Sequence, residues 1–195
     1  MTNFELVPFG AGILPLVSGS LVRTAKHLHV EWHVNPLQRA IAWPSSDGML
    51  RRQDELWKST CFEIFVSEPV SDSIAAKPYF ELNISPSGSW QCYRFEDYRQ
   101  GQSVSNTFAV TQTSASHSAE HYSLRCTVEY SLPQFVTTSL DISVSAILKT
   151  QSAETLKPDG DRSAAAELNY YALSHPNKQP DFHLSSNRQL LLECE

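Results

Sequence analysis

The chain has no Cys-x-x-Cys pair, no long apolar run, no basic tract and none of the common catalytic signatures. Its four cysteines, Cys61, Cys92, Cys126 and Cys194, are widely spaced. Zinc sites need paired ligands, so none is expected. Three of the thiols fall in strand-like stretches, where reduced, buried side chains are the simplest reading. No apolar run approaches ~18 residues, so no membrane-spanning helix is expected. The opening Met1-Thr2-Asn3-Phe4-Glu5-Leu6 lacks a basic region and an apolar core, so no signal peptide is read and a cytoplasmic location follows. Beyond Arg51-Arg52 no Lys/Arg cluster occurs, and the net charge is -6. Phosphate backbones are bound by clustered cations, so a general nucleic-acid partner is excluded. There is no Gly-x-Ser-x-Gly elbow, no P-loop, no Gly-x-Gly-x-x-Gly and no repeat at a solenoid period.

What is there is a globular composition. The chain has 195 residues, 41% hydrophobic and 18% charged, which suits one domain spanning residues 1–195 with enough buried surface to need no staple. Short alternating segments separated by turn residues recur along its length. Residues 4–26 hold one or two strands. His27 to Val34 alternates without a break: Leu28, Val30, Trp32 and Val34 point one way, and His27, His29, Glu31 and His33 point to a wet face. The three histidines share a face but have no further ligand near in sequence, so no metal is assigned. Ile41-Ala42-Trp43 reads as a short strand. Phe108 to Thr113 reads as another, followed by a Ser/His-rich turn. Tyr122–Tyr130 and Leu140–Leu148 alternate strongly, Leu132 to Phe135 can start a helical turn, and 150–166 reads as a mobile loop. Leu168–Leu173 and Arg188–Leu192 close the set. This pattern predicts an all-β sandwich of two antiparallel sheets.

The chain is organised around Leu56-Trp57-Lys58-Ser59-Thr60 leading into Cys61–Val66. A tryptophan in a loop precedes a strand whose apolar face is Phe62, Ile64 and Val66, and whose other face carries Cys61, Glu63 and Phe65. A lone carboxylate among apolar residues must be solvated or paired, and Arg125 and Arg94 are the candidate partners. Tyr79 to Phe95 reads as a β-hairpin turning at Ser85-Pro86-Ser87-Gly88. Phe80, Leu82 and Ile84 face one side; Tyr79, Glu81, Asn83 and Ser85 face the other.

The order of these pieces, from Leu56-Trp57 through Cys61-Phe62-Glu63-Ile64-Phe65, Tyr79 to Gly88, Trp90 to Tyr98, Tyr170 to Pro176 and Pro180-Asp181-Phe182-His183, resembles the DOMON-like superfamily. Within it, the chain is similar to family 9 carbohydrate-binding modules. The resemblance implies a jelly-roll-like sandwich that binds a ligand on or beside one sheet. It implies that Trp57 stacks on a sugar ring and that Glu63 hydrogen-bonds its hydroxyls. It also implies a second aromatic from Tyr170 or Tyr171 and an arginine from Arg125 or Arg94. Relatives of this kind bind sugars or haem, and many are stand-alone domains.

The resulting expectation is a non-catalytic domain binding a small polar ligand, a carbohydrate or sugar-containing metabolite. Trp57 stacks, Glu63, Glu81, Asn83 and Arg125 make polar contacts, and Tyr171 and His175 shape the rim. Sugar sites combine a flat apolar wall with convergent polar groups. No cofactor is assigned. Haem binding is the alternative, with Met49 and His175 as ligands because Met1 and Met49 are the only methionines. A protein-interaction surface around Trp57 is another. Glycoside hydrolysis by Glu63 and Glu81 ranks below binding, because paired acids on neighbouring strands are more often a solvated face.

Overall fold

The computed structural model describes residues 1–10, 15–35, 41–67, 78–131, 135, 139–151 and 166–193. Within them lie thirteen strands: β1 (Thr2–Pro8), β2 (Leu16–Arg23), β3 (His27–Asn35), β4 (Arg51–Arg52), β5 (Cys61–Ser67), β6 (Tyr79–Ile84), β7 (Ser89–Phe95), β8 (Ser103–Val104), β9 (Phe108–His117), β10 (Tyr122–Tyr130), β11 (Leu140–Gln151), β12 (Ala166–Ala172) and β13 (Leu190–Leu192). The all-β sandwich expected from the alternation is the observed class. The residues 152–165 read as a loop, most of the 67–78 connection, Leu132-Pro133-Gln134 and Cys194 lie outside the described residues. Phe135 is helical and fully buried.

One layer runs β1-β2-β3-β10-β9. The other runs β4-β7-β6-β5-β11-β12, with β13 on β11 and β8 on β7. All pairings are antiparallel except the short β4–β7 contact. The layers are joined by β1. Its Thr2–Leu6 portion pairs with β2, and Val7 and Pro8 pair with Ala172 and Tyr171 of β12. The sheet thus curls over on itself and buries one face of each layer. That core contains Trp32, Phe62, Leu82, Cys126, Val144 and their neighbours.

Alternation explains both layers, with a difference between them. On β3 and β10 every second residue is buried and the others meet solvent, as a half-wet antiparallel sheet requires. On β5, β6 and β7 nearly every residue is buried. Their second face carries a separate apolar cluster of Phe65, Tyr79, Tyr93, Phe95, Ile147 and Phe182, with Trp57 and Tyr170 packed against it. The polar side of the 79–85 segment is therefore roofed by loops and is not a wet face. Cys61, Cys92 and Cys126 are buried free thiols.

Two expectations differ in detail. The Ser/His-rich segment after Thr113 continues as strand to His117, because its backbone keeps pairing with Tyr122–Arg125 across a bulge at Thr127/Val128. Ile41 forms a single bridge to Thr150 and not a strand. Arg23 of β2 is buried and hydrogen-bonds to backbone carbonyls and a tyrosine hydroxyl. Its Nη1 donates to Leu192 O at 2.7 Å, its Nη2 to Phe135 O, and its Nε to Tyr130 Oη at 3.4 Å.

Candidate functional site

A cavity of about 370 Å³ opens on the outer face of β5-β6-β11. Its floor is set by strand register. β5 and β6 pair Glu63 with Asn83 and Phe65 with Glu81, so the two acids are diagonal neighbours on one face. Across the other edge of β5, Glu63 lies opposite Ser145 of β11. The walls come from Trp57, Phe65, Phe95, Ile147, Tyr170 and Phe182, and the rim from Arg99, Gln102, Pro180 and His183.

Trp57 is placed by a 3-10 turn at Leu56–Lys58, anchored by buried Leu56. The turn is entered through Glu55 in the left-handed region, φ 60°. The Trp57 ring meets Tyr93 edge-on, with centroids 5.9 Å apart. Tyr93 is held in turn by donating to Asp54 Oδ1 at 2.7 Å. Arg99 is the other non-glycine residue with positive φ among those described. Left-handed backbone at two non-glycine residues, one two positions before Trp57 and one on the rim, is a local cost that surrounding contacts must hold in place.

Glu63 is 3% exposed and Glu81 5%. Ser145 Oγ donates to Glu63 Oε2 at 2.8 Å, and Asn83 Nδ2 donates to Glu81 Oε1 at 2.7 Å. Asn83 is oriented by the Cys61 thiol, whose sulfur lies 3.8 Å from Asn83 Oδ1. Burial, aided by the charge of Glu81, raises the pKa of Glu63; burial raises that of Glu81. The low-dielectric floor disfavours two adjacent negative charges, so the pair retains a proton well above the ordinary carboxylate range.

A chain of hydrogen bonds supports the rim. The Arg99 backbone N–H donates to Tyr79 Oη at 3.3 Å. Tyr79 Oη lies 2.7 Å from His183 Nδ1. Burial pushes the Tyr79 hydroxyl up to about 12, so it stays protonated and donates. Burial, with the Arg99 charge, pushes His183 down to about 4, so its ring is neutral and Nε2 carries the hydrogen. That nitrogen faces Glu81 Oε2 at 3.7 Å. Asp181 ties two rim loops together. It accepts Tyr98 Oη at 2.5 Å, Arg99 Nη2 at 3.2 Å and the His183 backbone N–H at 3.2 Å.

Of the residues expected to bind ligand, Trp57, Glu63 and Glu81 line this cavity. Asn83 sits beneath it, fully buried, holding Glu81. Tyr171 is fully buried in the core between the layers, whereas Tyr170 reaches the cavity. The register Ile147↔Tyr170 and Ala146↔Tyr171 accounts for this, since Ala146 faces the core and Ile147 the cavity. Arg125 is 70% exposed on the other layer, where its Nε donates to Glu31 Oε1 at 2.8 Å. It is not the partner of Glu63. Arg94 follows the alternation of Trp90 and Cys92, on the face away from Glu81. His175 packs edge-on to Phe9, centroids 5.2 Å apart, and its Nε2 donates to Val7 O at 2.8 Å. Met49 is exposed in a loop. Neither lines the cavity.

Arg99, His183, Gln102, Ile147 and Phe182 were not singled out from sequence as contacts. Phe182 and His183 fall in the Pro180-Asp181-Phe182-His183 motif, and that was the available signal. Among the described residues no helix is long and apolar enough to cross a membrane, and no group of three metal-ligating side chains converges.

No protein-family model and no curated protein matches the chain. Solved structures similar to it include three. One is the crystal structure of a Bacteroides uniformis protein provisionally assigned as carbohydrate-binding. It has a TM-score of 0.54 and 12% identity, over 95% of this chain and 83% of that one. The others are a family 9 carbohydrate-binding module of Caldicellulosiruptor kristjanssonii, in complex with glucose or with cellotriose. The glucose complex has a TM-score of 0.40 and 13% identity over 84% of this chain and 69% of that one. The cellotriose complex has a TM-score of 0.44 and 12% identity over 87% and 71%. At this level of identity the Bacteroides likeness concerns the fold, and it agrees with the curled β-sandwich.

Proposed function

We propose that the chain is a non-catalytic binding domain, a single DOMON-like sandwich that holds a carbohydrate in the cavity over β5 and β6. The observation that carries this is the pairing of two buried acids, Glu63 and Glu81, with an aromatic wall led by Trp57. A sugar ring presents C–H groups on its faces and hydroxyls at its edge. Trp57 and Tyr170 suit the faces; the acids, Arg99 and Gln102 suit the edge. A carboxyl pair that retains a proton both donates and accepts, as hydroxyl recognition needs. In this reading Asn83 acts by orienting Glu81, and Tyr171 and His175 act by packing. Arg125 remains a candidate only for contacts on the opposite layer. The buried free thiols suit a reducing, cytoplasmic setting.

The cavity dimensions fit a small ligand. The two acids favour binding over hydrolysis. Glycosidases place their carboxyls on either side of the scissile bond, whereas Glu63 and Glu81 project from one sheet face. Titration calorimetry against a panel of mono- and disaccharides tests the reading. Binding of at least one saccharide, weakened tenfold or more by Trp57→Ala in a variant that still melts cooperatively, is expected. A panel with no binder, or binding indifferent to Trp57→Ala, refutes it. Release of chromophore from nitrophenyl glycosides, lost in Glu63→Gln, would instead mark a hydrolase.

A further inference from the structure

The protein satisfies only half of the acid pair. Each carboxyl has one oxygen held by a protein donor, Ser145 Oγ for Glu63 and Asn83 Nδ2 for Glu81. Among the described residues no donor reaches Glu63 Oε1. Glu81 Oε2 faces His183 Nε2 at 3.7 Å, beyond hydrogen-bond range. Both side chains are more than nine-tenths buried, and both line the cavity. Two acceptor oxygens therefore open into it without partners among the described residues.

The charges around them do not balance either. Arg99 is the one cation in the described lining, and Asp181 already engages its guanidinium. His183 is neutral at physiological pH. Cys61 beside Glu63 and Tyr79 beside Glu81 are both raised by burial and add no charge. Arg188 stacks over the Tyr79 ring, 4.7 Å from its centroid, and lines a different hollow. On the β7 side, Asp54, held ionised by Tyr93 and Gln91, adds a further negative charge. A neutral ligand would leave the two acids to share their proton. An ammonium group would supply N–H donors to both open oxygens and a positive charge in place of that proton, and the aromatic rings would hold it by cation–π attraction.

We propose that the ligand carries a cationic amino group, as an amino sugar or short amino-sugar oligomer does, with the ammonium held between Glu63 Oε1 and Glu81 Oε2. This rests on the carbohydrate reading above. The ammonium takes the place of the proton kept on the acid pair. A protonated carboxyl and an R–NH3+ become a carboxylate–ammonium pair, and one H+ passes to the buffer.

The full chain is titrated calorimetrically at pH 7 with three β-1,4-linked disaccharides, those of glucosamine, glucose and N-acetylglucosamine, and with cyclohexylamine. The glucosamine disaccharide should bind at least tenfold tighter than the other two sugars. Its heat should vary with buffer ionisation enthalpy as proton release requires. Glu63→Gln and Glu81→Gln should bring the preference toward unity, with folding checked by thermal melts. Should either variant fail to fold, the acetylation contrast and the proton release in the unaltered chain still decide the matter. Equal binding of the glucose disaccharide overturns the amine and leaves the carbohydrate reading standing, and tighter binding of the glucosamine disaccharide without proton release overturns the exchange of ammonium for the pair's proton. Binding of cyclohexylamine alone overturns the carbohydrate reading and upholds the cation subsite. No binding by any of the four overturns both.

Discussion

Glu63 and Glu81 lie two residues out of register on neighbouring strands, Glu63 opposite Asn83 and Glu81 opposite Phe65, so both carboxyls occupy the same buried sheet face. Diagonal neighbours on an antiparallel pair are close enough for long side chains to interact. Strand pairing alone thus forces two acids together in a low-dielectric floor. Ser145 and Asn83 stabilise them only in part.

The first consequence is a pH dependence of stability. The folded pKa values of both acids are raised, so the native state binds more protons than the unfolded chain above the ordinary glutamate range of about 4.3. Stability from this source is complete below that range and is lost as pH rises through the raised values. His183 has the opposite sign. Its folded value is pushed down to about 4, so its contribution is present above about 6.5 and is lost as pH falls. The two effects oppose one another on the acid side and separate above pH 6.5. Denaturant unfolding should show stability falling by at least about 1.4 kcal/mol, one pKa unit, between pH 6.5 and 8.5. Glu63→Gln should flatten that limb. A wild-type profile flat over that range, or one unchanged by Glu63→Gln, would show that the pair titrates normally.

Much of this arrangement was legible in the sequence because alternation reports faces directly. The core faces of β3, β5, β6, β10 and β11 follow from it residue by residue, and Trp57 and Glu63 stood out against their neighbours. Register between distant strands was not legible. Nothing local says that Glu63 lies opposite Ser145 on β11, while Arg125 lies opposite Glu31 in the other layer. The same gap separates Tyr170 from Tyr171, where a shift of one residue exchanges cavity for core. Arg99 and His183 sit in irregular segments with no period to read, and their placement depends on Tyr79 and Asp181. The roof over the polar face of β6 was hidden for the same reason, since Phe182 reaches it from a loop about a hundred residues away.

Gly19 is required by close approach within the sheet. It pairs with Phe4 on one side and Trp32 on the other. A Cβ there would come 2.0 Å from Glu31 O and 2.5 Å from Phe4 Cζ. Glycine to alanine in a strand ordinarily gains by restricting the unfolded chain. Here the backbone of β3 would have to move, and overpacking of that kind costs about 3 kcal/mol. Chemical denaturation of Gly19→Ala should show a loss near that size. A neutral or stabilising result would mean that β2 and β3 can separate without penalty.

Asp181 is the test of whether the rim is held as a unit. Its carboxylate accepts the Tyr98 hydroxyl, the Arg99 guanidinium and the His183 backbone N–H. Asn187 Nδ2 donates to its carbonyl at 2.8 Å. Its side chain is 9% exposed, against 50% for Arg99. The donors around the acid, chiefly Tyr98 and Arg99, hold its pKa down against burial. Hydrogen bonds to a charged group contribute about 1.5–3 kcal/mol each when buried, and less where the partner is as open as Arg99. Asp181→Ala should therefore cost about 2 kcal/mol in denaturant unfolding. It should also free the Arg99 guanidinium, leaving a cation beside Glu63 and Glu81 with no acid of its own. That charge would compete with a cationic ligand for the two open carboxyl oxygens. Affinity for the glucosamine disaccharide should fall in Asp181→Ala, and part of it should return in the double variant Asp181→Ala/Arg99→Ala, in which the competing cation is gone. A stability loss with affinity unchanged would reduce Asp181 to a loop tie with no influence on the cavity.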